Sequence, residues 1–91
     1  VHRPLIKLSI LLHEEGHWLD NQKGHKFWRE YRAQKYLMEK ALALNCKALI
    51  RDTTMDTKYW LTMRNHPRWN AYYCAANRLV KTKLWRQLCQ N

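Results

Sequence analysis

The scarcity of residues that break helices constrains the fold of this chain more than any other feature. Only two glycines and two prolines occur among its 91 residues. Because glycine and proline end helices and shape the turns between strands, their rarity favours long helices over many short strands. A chain of this length forms one small domain. We therefore expect a single all-α domain over residues 1–91, a small bundle of about four helices.

The helical periodicity is clearest in the segment that begins at Lys26. An earlier helix is expected from about Pro4 to Leu19, with Ile6, Ile10, His13 and His17 along one face. The polar residues 20–24 separate the two helices. Because this loop is short, the two helices should pack as an antiparallel pair. In the second helix, residues recurring at spacings of three and four share one face, namely Phe27, Glu30, Ala33, Leu37, Ala41 and Leu44.

The rest of the chain predicts further helices with less definite ends. Asn45 can end the second helix, or the helix can run on through CKALIRD. Residues 51–56 are expected to form a connector. Asp56 is expected to cap a short helix that follows this connector. Pro67 suits the first turn of a last helix that reaches about Leu88. The buried face of that helix would carry Trp69, Tyr73, Ala76, Val80 and Leu84.

The sequence indicates a soluble protein of a reducing compartment. We recognise no signal-peptide pattern in these residues and no apolar run long enough to cross a bilayer, so a soluble protein is expected. The three cysteines are Cys46, Cys74 and Cys89, and no two of them form a C-x-x-C pair. Free thiols and a cytoplasmic location are therefore expected, with no membrane partner.

The segment LLHEEGHWLD, residues 11–20, carries the pattern that points to chemistry. His13 and His17 lie one helical turn apart, so both imidazoles can bind one metal ion from the same side. Glu14 would lie beside a metal-bound water and can accept its proton. The small Gly16 would let another element pack close to this helix. The alternative is a structural helix with two half-buried histidines bonded to backbone or carboxylate groups.

A third metal ligand is expected from the second helix. Glu30 lies on the face that should point into the core, where an unpaired carboxylate is costly unless it binds a metal. In an antiparallel pair of helices it would lie opposite His17. His25 and Asp20 are the rival ligands, and Asp20 could instead accept a hydrogen bond from a ligand imidazole. Glu30 could also lie at a helix edge and pair with a lysine or arginine.

LLHEEGHWLD resembles the active-site helix of the HExxH zinc peptidases, the zincins. The following FWREYRAQKYL is similar to the E-x-x-A pattern of ImmA/IrrE-like peptidases, which include compact phage-encoded relatives. This resemblance implies a metallopeptidase with Zn²⁺ as its cofactor and a protein or peptide as its substrate. It also implies Glu14 as the catalytic base and His13, His17 and Glu30 as the metal ligands.

A second resemblance gives a different third ligand. The segment GHKFW resembles the G-H-x-x-x-F segment of SprT-like peptidases, with a shorter spacing, and it implies that His25 binds the metal. Zincins usually carry a β-sheet before the active-site helix, whereas only a few residues precede it here. Either the substrate is held differently, or the chain is a reduced or incomplete relative.

The charge of the chain supports an alternative function. The formal net charge is +10, which favours nucleic acid, acidic membrane surfaces or acidic proteins as partners. The last third is strongly basic, and its interleaved aromatic rings could stack on bases. The alternative is therefore a helical module that binds nucleic acid or protein, with a structural or vestigial metal site. For a peptidase, the candidate oxyanion donors are Tyr59, His66, Tyr72 and Tyr73.

Overall fold

The computed structural model describes residues 7–90, and this part of the chain is all-α. It contains no strand, so the predicted fold class is confirmed. No helix within it is long and apolar enough to cross a membrane. The helices are α1 (Leu8–Leu19), α2 (Lys26–Leu44), α3 (Lys47–Trp60), α4 (Asn70–Leu79) and α5 (Lys83–Gln90), with a 3₁₀ turn at Leu61–Met63.

Helix α2 is the centre of the bundle and contacts each of the other four helices. It ends as expected at Asn45, which takes a left-handed conformation with φ 49°. The Asn45 amide closes the last turn on the Ala41 and Leu42 carbonyls, as left-handed caps do. Leu44, assigned to the buried face, is 58% exposed. The buried residues of α2 are Glu30, Ala33, Gln34, Leu37, Met38 and Ala41.

The predicted connector at residues 51–56 is wrong, because this segment lies inside α3. Thr53 of this segment and Thr57, which directly follows it, are buried in the helix. The hydroxyls of Thr53 and Thr57 donate to the carbonyls of Leu49 and Thr53, so both are satisfied within the helix. Asp56 is not an N-cap; it accepts a hydrogen bond from Ser9 at 3.0 Å and so ties α3 to α1.

The predicted last helix is divided into α4 and α5 by a turn at residues 80–82. The Thr82 hydroxyl donates to the Leu79 carbonyl at 2.6 Å and accepts from the Trp85 amide at 3.2 Å, which ends one helix and begins the next. The turn lets α5 pack against α2 and α3, with Leu88 buried. Pro67 precedes α4 by three residues and does not lie in its first turn.

Helices α1 and α2 pack closely and antiparallel, as their short loop predicts. The later histidine, His17, contacts the earlier Glu30, and the earlier His13 contacts the later Gln34, so the two chain segments run in opposite directions. A Cβ added to Gly16 would lie 3.0 Å from both the Cα and the carbonyl oxygen of Ala33. The expectation that Gly16 permits a close approach is therefore confirmed. The buried residues of α1 are Ser9, His13 and Gly16.

The face of α1 that was expected to carry Ile6, Ile10 and the two histidines is buried only in part. Ile10 is 46% exposed, because Ser9 takes the buried place one turn before His13. Ile6 lies outside the described residues.

Candidate metal centre

Two imidazoles of α1 converge on one carboxylate oxygen of α2. His13 Nε2 lies 2.9 Å from Glu30 Oε1, and His17 Nε2 lies 3.0 Å from the same oxygen. The one-turn spacing of the histidines sets their rings 4.7 Å apart between centroids. Three potential ligand atoms therefore meet between the two helices.

Glu30 is buried at this point and remains ionised. Only 6% of the residue is exposed. Burial by itself raises the pKa of the carboxyl, but hydrogen bonds and positive charge from His13 and His17 outweigh it and hold the pKa below its usual value. Glu30 therefore pairs with the two histidines, whereas the alternative of a lysine or arginine partner is not observed within residues 7–90.

Glu14 lies beside the two histidines on the solvent side. One oxygen of its carboxylate and one nitrogen from each imidazole all lie within 4.8 Å of one another. Glu14 also lines a cleft of about 280 Å³, together with His13, Trp60 and Tyr72, which we call the Glu14 cleft. A molecule that entered this cleft would meet the Glu14 carboxylate and the His13 ring together.

Gln34 fixes the orientation of His13 from the protein side. Its Oε1 lies 2.8 Å from His13 Nδ1, and its Nε2 donates to the Thr57 hydroxyl at 2.9 Å. With the amide in this assigned orientation, Nδ1 carries the proton and Nε2 directs a lone pair at Glu30. Two acceptors at 2.9 Å repel each other unless a cation, either a proton or a metal ion, lies between them.

The separations between these ligand atoms are close to those of a zinc site. Tetrahedral zinc with bonds of about 2.0–2.1 Å places its ligand atoms about 3.3–3.4 Å apart. The observed separations of 2.9 and 3.0 Å from Glu30 Oε1 need to widen only slightly. Two imidazoles and one carboxylate also form a ligand set that zinc uses when one position is left for water. His13, His17 and Glu30 are therefore suitable zinc ligands.

The rival ligands His25 and Asp20 have other partners. The His25 ring caps α2, where Nδ1 accepts the Phe27 amide at 3.0 Å. Asp20 accepts from Arg32 Nε at 2.7 Å and does not contact an imidazole as an orienting acceptor would. The chain therefore brings Glu30, and neither of these residues, against His13 and His17.

Two of the four candidate oxyanion donors line the Glu14 cleft, namely Tyr59 and Tyr72. Burial, together with the negative charges of Glu30 and Glu14, raises the pKa of Tyr72, so its phenol keeps its proton. His66 instead caps the chain before α4, accepting the amides of Arg68 and Trp69. Tyr73 does not line the cleft.

Gln34 and Trp60 are site residues that the sequence analysis did not identify. Gln34 follows Glu30 by one turn on the buried face of α2, and this polar pair on an apolar face was a usable signal. Trp60 stands edge-on to His13 at 5.4 Å and to Tyr72 at 4.8 Å between ring centroids. Its position depends on the packing of α3, so no local pattern predicted it.

No protein-family model, curated protein or solved structure matches this chain. The function is therefore inferred from the residues of the site. His13, Glu14 and His17 form a group that could hold a metal ion. Glu30 lies against both imidazoles, and Glu14 also lines the open cleft.

Proposed function

We propose that this chain is a small zinc-dependent metallopeptidase, in keeping with its resemblance to the zincins. His13, His17 and Glu30 would hold the zinc ion, and Glu14 would act as the general base. One observation carries the proposal: two imidazole nitrogens converge on a single oxygen of a buried carboxylate. A purely structural site has no need of a fourth group that faces solvent, whereas Glu14 lines the open cleft.

The residues around the cleft have distinct roles in peptide hydrolysis. Zinc supplies Lewis-acid chemistry when bound, since it lowers the pKa of water and polarises a carbonyl. Glu14 takes a proton from water as the oxygen attacks the peptide carbon, and it gives that proton to the leaving amine as the C–N bond breaks. Tyr72 keeps its phenolic proton and donates a hydrogen bond to the carbonyl oxygen as negative charge develops there.

Two neighbours keep His13 in place for this role. Gln34 accepts from Nδ1, which leaves Nε2 as the ligand atom and prevents the ring from turning. Trp60 packs edge-on against the same ring and limits its movement on the cleft side. Both Glu30 and Gln34 are carried by α2, the helix that contacts each of the other four.

Zinc binding is tested with the wild type, His13→Ala and His25→Ala, each purified without chelators and supplied with zinc. We expect about one zinc per chain in the wild type and loss of zinc in the His13 variant. His25→Ala is the matched control, because that imidazole caps α2 and should leave zinc in place. Wild-type protein without stoichiometric zinc under these conditions would contradict the proposal.

Catalysis is tested with Glu14→Gln, which keeps the shape of the side chain and removes its basicity. The variant should keep zinc and lose hydrolysis by about two to four orders of magnitude. The substrate is first found by screening peptide libraries with the wild type. Equal cleavage by the variant would exclude Glu14 as the base, and tight zinc binding with no cleaved peptide would favour a structural metal.

A further inference from the structure

A second pocket continues from the Glu14 cleft. Its volume is about 390 Å³, and it shares Tyr59, Trp60 and Tyr72 with that cleft. Met63 and Trp69 complete its lining. We call it the aromatic pocket. A ligand bound at Glu14 could therefore extend directly into this second space.

The walls of the aromatic pocket are large apolar side chains that remain open to solvent. Tyr59 is 62% exposed and Trp69 is 40% exposed. Neighbouring rings support these walls, since Trp69 stacks on His66 at 4.5 Å and Trp60 packs on Tyr72 at 4.8 Å between centroids. Concave aromatic surfaces of this kind favour a ring or a long aliphatic side chain as the ligand.

The surroundings of this pocket are positively charged. No aspartate or glutamate follows Asp56 in the sequence. Arg64 and Arg68 flank the pocket residues Met63 and Trp69, are exposed, and make no ion pair within residues 7–90. Lys26 Nζ lies 5.0 Å above the Tyr72 ring. This charge favours a ligand that carries carboxylates beside its apolar group.

We propose that the aromatic pocket binds a large apolar side chain of an acidic peptide substrate, next to the peptide bond that is cleaved. The adjacency to the cleaved bond rests on the proposed function, because Glu14 lines the adjoining cleft. A peptide fits better than a nucleic acid. Glu14 and Asp56 both line the Glu14 cleft and would repel the phosphate that every nucleotide carries, whereas a peptide can place its neutral backbone in the cleft and its carboxylates beside Arg64 and Arg68.

The test measures binding without cleavage, using the Glu14→Gln protein and fluorescein-labelled peptides of about eight residues. The reference peptide has a central phenylalanine flanked by glutamates, and fluorescence anisotropy gives its affinity. Replacing phenylalanine with alanine should weaken binding about tenfold. Replacing the glutamates with lysines should also weaken binding, and this difference should shrink as salt is added.

Measurements on zinc-loaded and metal-free protein separate this inference from the proposed function. The preference for phenylalanine over alanine should persist without zinc, because no metal ligand lines the aromatic pocket. If zinc binding or hydrolysis fails while the preference remains, the metallopeptidase proposal falls and the pocket assignment stands. If zinc binds and peptides are cleaved with no preference for a large apolar residue, the pocket assignment is wrong.

Protein variants show which residues cause the preference for the phenylalanine peptide over the alanine peptide. Trp69→Ala should reduce the ratio of the affinities for the phenylalanine and alanine peptides about fivefold. Met63→Gln changes a half-buried side chain of the same pocket and should also reduce it. Trp18→Ala is the matched control, because this tryptophan is 86% exposed on α1 and should leave the ratio unchanged. Circular dichroism checks that every variant keeps its helices.

Three results would overturn the inference. The first is equal affinity of the Glu14→Gln protein, with its aromatic pocket unaltered, for the phenylalanine and alanine peptides. The second is a loss of the preference in Trp18→Ala as large as that in Trp69→Ala. The third is tighter binding of a single-stranded oligonucleotide than of the acidic peptide, weakened by Trp69→Ala, since this would assign the rings to base stacking.

Discussion

Gly16→Ala tests the close packing of α1 on α2 that brings the candidate ligands together. The added Cβ would lie 3.0 Å from the Cα and carbonyl oxygen of Ala33 and 3.2 Å from the Tyr36 Cβ. Ordinary contacts between carbon atoms are about 3.5–4.0 Å. Because backbone atoms of α2 cannot rotate away, α1 must shift by a few tenths of an ångström. His13 and His17 would then move away from Glu30.

Two opposing effects set the expected change in stability. Alanine favours a helix over glycine by about 1 kcal/mol. Overpacking a close contact costs about 1–3 kcal/mol. The net loss in the free energy of unfolding should therefore be about 0–2 kcal/mol. Zinc affinity should change less than about tenfold, because a shift of this size is similar to the widening of the His–Glu30 separations that tetrahedral zinc itself requires.

Urea unfolding of the metal-free protein and zinc titration of the folded protein measure the two effects separately. Leu11→Ala is the control on α1, because Leu11 is 50% exposed and its replacement should not alter the spacing of the helices. A Gly16→Ala protein with increased stability would refute the packing argument, because it would mean that α1 can approach α2 without the glycine, and complete loss of zinc binding would refute the small size of the shift.

Three further predictions concern neighbouring side chains. Glu30→Gln should weaken zinc binding by about tenfold or more in a calorimetric titration, whereas His25→Ala should change it little; the reverse order would favour His25 as the ligand. Gln34→Leu should weaken zinc binding by about 10–100-fold through the loss of the acceptor at His13 Nδ1, and unchanged affinity would exclude this role. Burial raises the pKa of Asp20, but Arg32 outweighs it and lowers the pKa, so this pair stabilises the fold above the unfolded pKa and loses its effect as the pH falls through the folded pKa. Arg32→Gln should therefore make stability less dependent on pH below about 4, and an unchanged dependence would contradict this assignment.

The periodic part of the sequence predicted its structure well. Helix α2 begins at Lys26 and ends at Leu44, where the sequence places it, and its Ala33, Leu37 and Ala41 are buried. A long helix with one apolar face has a strong local signal. That signal also identified Glu30 as an acidic residue on the buried side, which is the basis of its assignment as a ligand.

The less periodic second half was harder to predict. Residues 51–56 resemble a turn because threonine and aspartate often bond to local backbone groups outside helices. In the folded chain Thr53 bonds within α3 and Asp56 reaches Ser9 on α1, so tertiary contacts outweigh the local preference. The turn at residues 80–82 contains no glycine or proline to mark it in the sequence. It is formed by the Thr82 hydroxyl, which bonds to both flanking helices.

The candidate site joins elements that are far apart in the chain, so the HExxH segment and Glu30 are only part of it. Gln34 connects His13 of α1 to Thr57 of α3, and Trp60 lies between the His13 ring and Tyr72 of α4. A change in α3 that leaves every ligand in place should therefore still alter the site. Trp60→Ala would remove a wall shared by both pockets, so peptide binding should suffer more than zinc binding, which depends on the α1–α2 pair.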